Sequence, residues 1–156
     1  MRDYQRILVA IDGSPTSTKA LVAALNIARD NGGRLLLVHV MDPLAFLTGF
    51  EASGEVFALV RQAGERVLLD AAEIAQAAGA PAETRLVDEP GQRLGEVIAR
   101  EAAAWPAQLI VLGTHGRRGS SRLLLGSGAE EIIRHSPVPV LVVRVPEDRA
   151  PATDRR

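Results

Sequence analysis

Four short apolar runs, each continuous rather than alternating, do most to limit what this chain can fold into. They are RILVAI (Arg6 to Ile11), RLLLVHV (Arg34 to Val40), QLIVLG (Gln108 to Gly113) and the VLVV of SPVPVLVVR (Ser136 to Arg144). A strand with one wet face alternates apolar and polar residues. A strand that is apolar at every position has to be covered on both faces, as in a parallel sheet. A fifth segment, AETRLVD (Ala82 to Asp88), alternates and predicts a strand with one exposed face.

Helical patterns fill the intervals. Ser14 followed by Pro15 has the form of an N-cap and a first-turn proline. Ala20, Leu21, Ala24, Ile27 and Ala28 then recur at helical spacing until Asn31-Gly32-Gly33 stops the helix. A long amphipathic helix is predicted from about Val56 to Ala78, with Val56, Leu59, Val60, Ala63, Val67, Ala71, Ile74, Ala75 and Ala78 inward. A third runs from about Gln92 to Ala104 on Leu94, Val97, Ile98 and Ala102, with Trp105 packing at its end. A fourth holds Glu130 to His135, with Ala129, Ile132 and Ile133 inward. Residues 41 to about 55 form an excursion anchored by Phe46, Leu47 and Phe50.

Strands alternating with helices imply an α/β domain: a parallel sheet with right-handed crossovers and helices on both faces. At 156 residues the chain fits one domain. We expect that domain to occupy residues 1–145, followed by a polar, proline-bearing and disordered tail over 146–156.

Composition excludes several classes. A net charge of −1 gives no global attraction to nucleic acid or an anionic membrane, and 3% aromatic residues cannot form a base-stacking platform. The absence of cysteine removes disulfides, thiol catalysis and Cys-based zinc sites. No apolar run is long enough to span a bilayer, and Asp12 interrupts the first one too early for a signal peptide. A cytoplasmic protein is expected.

Against that neutral background, GTHGRRGSSRLLLGS (Gly113 to Ser127) concentrates four glycines and three arginines between a strand and a helix. Glycine before a helix lets backbone amides approach an anion, and Ser127 as N-cap would add a hydroxyl. Gly113 and Gly116 would let a phosphate lie against the backbone, with Arg117, Arg118 and Arg122 to neutralise it. The simpler alternative is that the glycines relieve crowding in a tight loop and the arginines are solvated. Asp12 at a strand end suits a ribose hydroxyl or an adenine amino group, but an Asp-Gly turn explains it equally well. Val40 could offer backbone groups to a purine edge or be an ordinary strand residue. His115 could donate to phosphate or lie on the surface. His39 satisfies a local backbone group, and His135 suits the negative end of a helix dipole.

Other devices are absent from the sequence. There is no GxxxxGK[ST] loop, Gly113-Thr114-His115-Gly116 is not a dinucleotide fingerprint, and no HExxH or dense His/Asp cluster marks a metal. Adjacent Asp88 and Glu89 would point apart rather than act as an acid/base pair.

The spacing Gly113, Gly116, Gly126, Ser127 fits G-2x-G-9x-G-[ST] and resembles the ATP-binding signature of the universal stress protein family. RILVAIDGS, LLLVHVMDP, LIVLGTHGRRG and LLLGSGAEEIIRHSPVPVLVV extend the resemblance over nearly the whole chain. It implies a Rossmann-like, five-stranded parallel sheet of order 3-2-1-4-5. It further implies ATP held by Asp12 and the backbone of Ala10 and Val40 at the adenosine end. Gly113, Gly116, Gly126, Ser127 and the amide of Gly128 would take the phosphates, which themselves hold Mg²⁺ or Mn²⁺, and we expect His115 and Arg117 beside them. A homodimer pairing through the last strand, Val138 to Val143, with Pro139 suited to an edge, is also implied. Gly128 departs from the apolar residue common in the family there. The function implied is a nucleotide-responsive regulatory protein with at most slow hydrolysis and no catalytic residue. An ATPase or nucleotidyl-transfer enzyme and a nucleotide-free structural dimer are the alternatives, the former disfavoured by the lack of SGGxDS and HIGH motifs.

Overall fold

The computed structural model describes residues 3–42, 54–89, 91–114 and 125–145. Among these, strands and helices alternate strictly: β1 (Arg6–Ala10), α1 (Pro15–Asn31), β2 (Arg34–Val40), α2 (Gly54–Ala77), β3 (Ala82–Val87), α3 (Leu94–Ala104), β4 (Leu109–Gly113), α4 (Ser127–His135) and β5 (Val140–Val143). All strands are parallel, in the order β3-β2-β1-β4-β5. The order reverses between β1 and β4, which pair in the register Ile7↔Leu109 to Val9↔Val111. The expected excursion after Met41, the tail 146–156 and His115, Gly116 and Arg117 lie outside the described residues.

The continuous apolar runs have a simple cause, because alternate residues of each strand feed separate cores. Ile7, Val9, Leu35, Leu37, Leu109 and Val111 meet α1 and α2 on one face. Leu8, Leu36, Val38, Ile110 and Leu112 meet α3 and α4 on the other. The edge strands are less covered: β3 is exposed over its first three residues and buried at Val87, and no residue of β5 is fully buried.

Helix ends follow the residues at them. Ser14 caps α1, its Oγ accepting from the Ser17 amide, and Pro15 takes the first helical position. Gly32 ends the helix in the left-handed conformation at φ 61°. Between α3 and α4 the backbones approach so closely that a side chain on Gly95 would overlap the Glu131 carbonyl.

Three expectations need correction. In α2 the inward stripe is Val60, Gly64, Leu68, Ala71 and Ala75, whereas Leu59 is 65% exposed and Ala63 and Ile74 also face outward. Gly64 sits against His39 of β2 and Leu86 of β3. In α4, Ile133 is exposed, since nine residues of helix cover the sheet with Ala129 and Ile132 alone. The last strand is shorter than Val138 to Val143: Pro139 precedes it, and its carbonyl accepts from the Ile110 amide. The strand does occupy a sheet edge.

Candidate nucleotide-binding site

The carboxyl ends of β1, β2 and β4 form one rim, at the point where strand order reverses. Ligands of open parallel sheets bind there. The observed pairs Val9↔Leu37 and Val9↔Val111 set the levels. Continued along the strands, that register brings Asp12, Val40 and Thr114 to the same height.

At the end of β1 the chain turns sharply. Gly13 adopts φ 81°, a conformation costly for any residue with a side chain. One oxygen of the half-buried Asp12 carboxylate accepts from the Ser14 amide at 2.8 Å, and the Asp12 amide donates to Ser17 Oγ at 3.3 Å. Asp12 is therefore a turn former first, as one reading of Asp-Gly predicts, and its carboxylate is fixed at the rim by that turn.

Val40 presents main chain to the same rim. The Leu35 and Met41 amides donate to carbonyls on the β3 side, Pro81 and Val87, whereas the Arg34 amide donates to Gln5 on the β1 side. Backbone direction alternates along a strand, so Val40 points its N–H and C=O toward β1. The β1–β2 ladder ends one step earlier, with the Ile11 amide donating to the Val38 carbonyl at 2.8 Å. The Ile11 carbonyl lies 2.7 Å from His39 Nδ1. A carbonyl only accepts, so this nitrogen carries the proton. The expectation that His39 satisfies a backbone group is met, but across the sheet rather than locally.

Beyond β4 the buried Thr114 ties three elements together. Its amide donates to the Val143 carbonyl at 3.0 Å, and its carbonyl accepts from the Gly126 amide at 2.9 Å. The start of α4 is thereby held beside the end of β4. Gly126, with φ −62° and ψ 155°, is the N-cap. Ser127 is the first helical residue, which corrects its expected capping role: no side chain caps this helix. The first intrahelical bond runs from Glu130 N–H to Gly126 C=O, so the amides of Ser127, Gly128 and Ala129 have no acceptor inside the helix. Such a terminus carries about half a positive charge. Ser127 is exposed, and Gly126 and Gly128 are half-buried.

Two glycines also have packing reasons. A Cβ on Gly113 would stand 2.6 Å from Thr16 Cγ2, in the first turn of α1. One on Gly128 would stand 3.0 Å from Leu94 Cδ2 of α3. Gly128 thus lets α4 settle on α3, and its amide keeps its place at the helix terminus.

Of the expected site residues, Ala10, Asp12, Val40, Gly113, Gly126, Ser127 and Gly128 fall on this rim or on the helix terminus beside it. Sequence reasoning found Ser14 as the cap but missed Thr114 and Ser17, whose Oγ accepts from the Asp12 amide. The three-residue interval between two serines was the available signal for Ser17; Thr114, inside a glycine-rich stretch, gave none. Among the described residues, no group of three His, Cys, Asp or Glu is placed to hold a metal. Asp88 and Glu89 diverge as expected, to Arg61 and Arg100 respectively. A groove of about 410 Å³ between α1 and α2 is lined by Ile11, Gly13 and Ser17 at the turn and by Arg66 and Asp70 of α2.

Comparison with known proteins agrees with this architecture. The chain is 33% identical over 147 residues to a universal stress protein of Methanocaldococcus jannaschii, covering 92% of this chain and 84% of that one. A solved structure from the universal stress protein family of Burkholderia pseudomallei shares 38% identity at a TM-score of 0.70, covering 92% and 98% of the two chains. A universal stress protein from Archaeoglobus fulgidus, solved in complex with dAMP, shares 25% identity at a TM-score of 0.66, covering 91% and 99%. The sequence model of the Universal stress protein family matches residues 3–144, and the chain belongs to that family.

Proposed function

We propose that the chain binds ATP at the β1–β2–β4 rim and acts through that binding rather than through rapid turnover. The observation that carries this reading is the Gly126–Thr114 hydrogen bond, which holds the start of α4, with three amides that have no acceptor inside the helix, beside the strand ends that carry Asp12 and Val40. A triphosphate is a good match for that terminus, where an anion meets both N–H donors and the helix dipole. The fixed Asp12 carboxylate suits the ribose, and the main chain of Ala10 and Val40 suits the flat edge of adenine. Gly113 borders the phosphate path, with His115, Gly116 and Arg117 as further contacts. Mg²⁺ or Mn²⁺ would be held mainly by phosphate oxygens. The dAMP complex of the Archaeoglobus fulgidus relative supports an adenine nucleotide as the ligand class.

Hydrolysis is at most slow in this reading. The rim carboxylate already accepts from the Ser14 amide and is committed to the turn. Turnover below about 1 s⁻¹ is expected, under the range of ordinary enzymes. The edge position of β5 supports a homodimer paired through that strand. No described helix is long and apolar enough to cross a membrane, in keeping with action in the cytoplasm.

Calorimetric titration of nucleotide-free protein with Mg-ATP, AMP and cyclic AMP tests the assignment. Micromolar binding that prefers ATP supports it. No heat with any of the three overturns it.

A further inference from the structure

We propose that His39 is a positioning residue for the nucleotide rim: its ring proton takes the Ile11 carbonyl out of the β1–β2 ladder and leaves the Val40 main chain turned to the ligand. The inference rests on the reading of the rim as a nucleotide site. In a parallel ladder continued by one step, the Ile11 carbonyl would accept from the Val40 amide, since the Ile11 amide already donates to Val38. Instead that carbonyl lies 2.7 Å from His39 Nδ1. The ladder therefore stops where the rim begins, and β1 is free to turn at Asp12 and Gly13. The Val40 N–H and C=O remain directed at the space the turn vacates.

Position 39 is an unusual place for a polar ring. Leu35 and Leu37, on the same face of β2, are fully buried against α1 and α2. A leucine or valine would continue that row, but it could not engage the Ile11 carbonyl. The ring is also confined from the far side. A Cβ on Gly64 of α2 would stand 2.9 Å from His39 Cδ2 and 3.3 Å from Nε2. Glycine in mid-helix costs up to about 1 kcal/mol relative to alanine, and here it makes room for the imidazole and for Leu86 of β3, whose Cδ1 would also stand 2.9 Å from that Cβ. His39 thus connects α2 to the first turn of the site without being assigned to ligand contact.

The test compares His39→Leu, His39→Gln and His39→Asn with the parent protein. Asparagine places an N–H near the position of Nδ1, glutamine near that of Nε2, and leucine keeps volume without a donor. ATP affinity by calorimetry should fall about five- to tenfold for leucine and glutamine, the scale of one neutral hydrogen bond, and recover for asparagine. Amide hydrogen exchange at Asp12 and Ser14, measured without nucleotide, should rise about tenfold in the leucine variant and return in the asparagine one. The nitrogen chemical shifts of the parent should show His39 Nδ1 protonated.

Nucleotide binding by the parent together with unchanged affinity in His39→Leu overturns this inference and leaves the nucleotide site standing. Absence of binding by the parent overturns the nucleotide site. In that case unchanged exchange in His39→Leu, or an unprotonated Nδ1, also overturns the role of His39 in fixing the turn.

Discussion

The Gly126 amide donates to the Thr114 carbonyl at 2.9 Å, and through it the first turn of α4 is fastened to the last residues of β4. Thr114 is simultaneously fastened to β5 through its own amide. An anion at the helix terminus would thus meet donors that are already oriented by the sheet, with little ordering left to do on binding.

The backbone of Gly126, at φ −62°, is open to any residue, so a substitution there tests access rather than strain. Gly126→Val should weaken Mg-ATP binding by at least about tenfold by crowding the terminal amides. Valine is a poorer N-cap than glycine, so stability should fall by about 1 kcal/mol or less. Calorimetry read beside a urea melt separates the two effects; undiminished affinity would remove Gly126 from the site.

Gly113 has both a packing reason and a proposed ligand role, and these can be separated. Gly113→Ala should cost about 1–3 kcal/mol as the new methyl meets Thr16 Cγ2 and the Thr16 backbone. Pairing it with Thr16→Ser, which removes Cγ2 but not the backbone contact, should recover part of the loss. A fully stable Gly113→Ala that still loses nucleotide would place the need for glycine in ligand approach alone.

Ser14→Ala should destabilise the fold by about 1 kcal/mol, because the Ser17 amide loses the Oγ that caps it at 3.1 Å. For a chain of this size that is a fall in Tm of roughly 2–4 °C. Ser14→Asp, which restores an acceptor, should regain most of it. Equal melting temperatures for parent and alanine variant would show that the cap contributes nothing.

Leu59→Ala and Leu68→Ala report on the register of α2. Leu59 is 65% exposed and Leu68 5%. The first substitution should fall within about 0.5 kcal/mol of the parent and the second should cost about 2–5 kcal/mol in denaturant melts. The reverse ranking would rotate the helix to the face its hydrophobic pattern suggests.

That last contrast shows where sequence was legible and where it was not. The strands could be read because β1, β2 and β4 are covered on both faces, which leaves no polar position to confuse the pattern. The α1 boundaries could be read because Ser14, Pro15 and Gly32 each have a local conformational reason to be there. The inward face of α2 was misread because its stripe passes through Gly64, which has no side chain to register as apolar. Leu59 looked like core because it lies at helical spacing from Val56 and Ala63, but that row runs beside the buried one through Val60 and Gly64. The rim residues were found through their place after apolar runs. Their grouping depends on β1 pairing with β4, residues about a hundred positions apart; no local pattern points to that contact, and it came from the family resemblance, whose order 3-2-1-4-5 the sheet has. The reach of His39 to Ile11, between β2 and β1, had no local signal either.

The pairing of Ile7 with Leu109 also sets an order of events during synthesis. β1 and the Asp12 turn are made about a hundred residues before β4 and α4, which supply half the rim. A nascent chain holds β1 with one flank unpaired until then, and non-local pairings of this kind are slow to form. The crevice comes into being only when β1 and β4 have met. Whatever small molecule it accepts will therefore distinguish chains in which β4 has joined β1 from those in which it has not, and will stabilise the joined form by mass action alone.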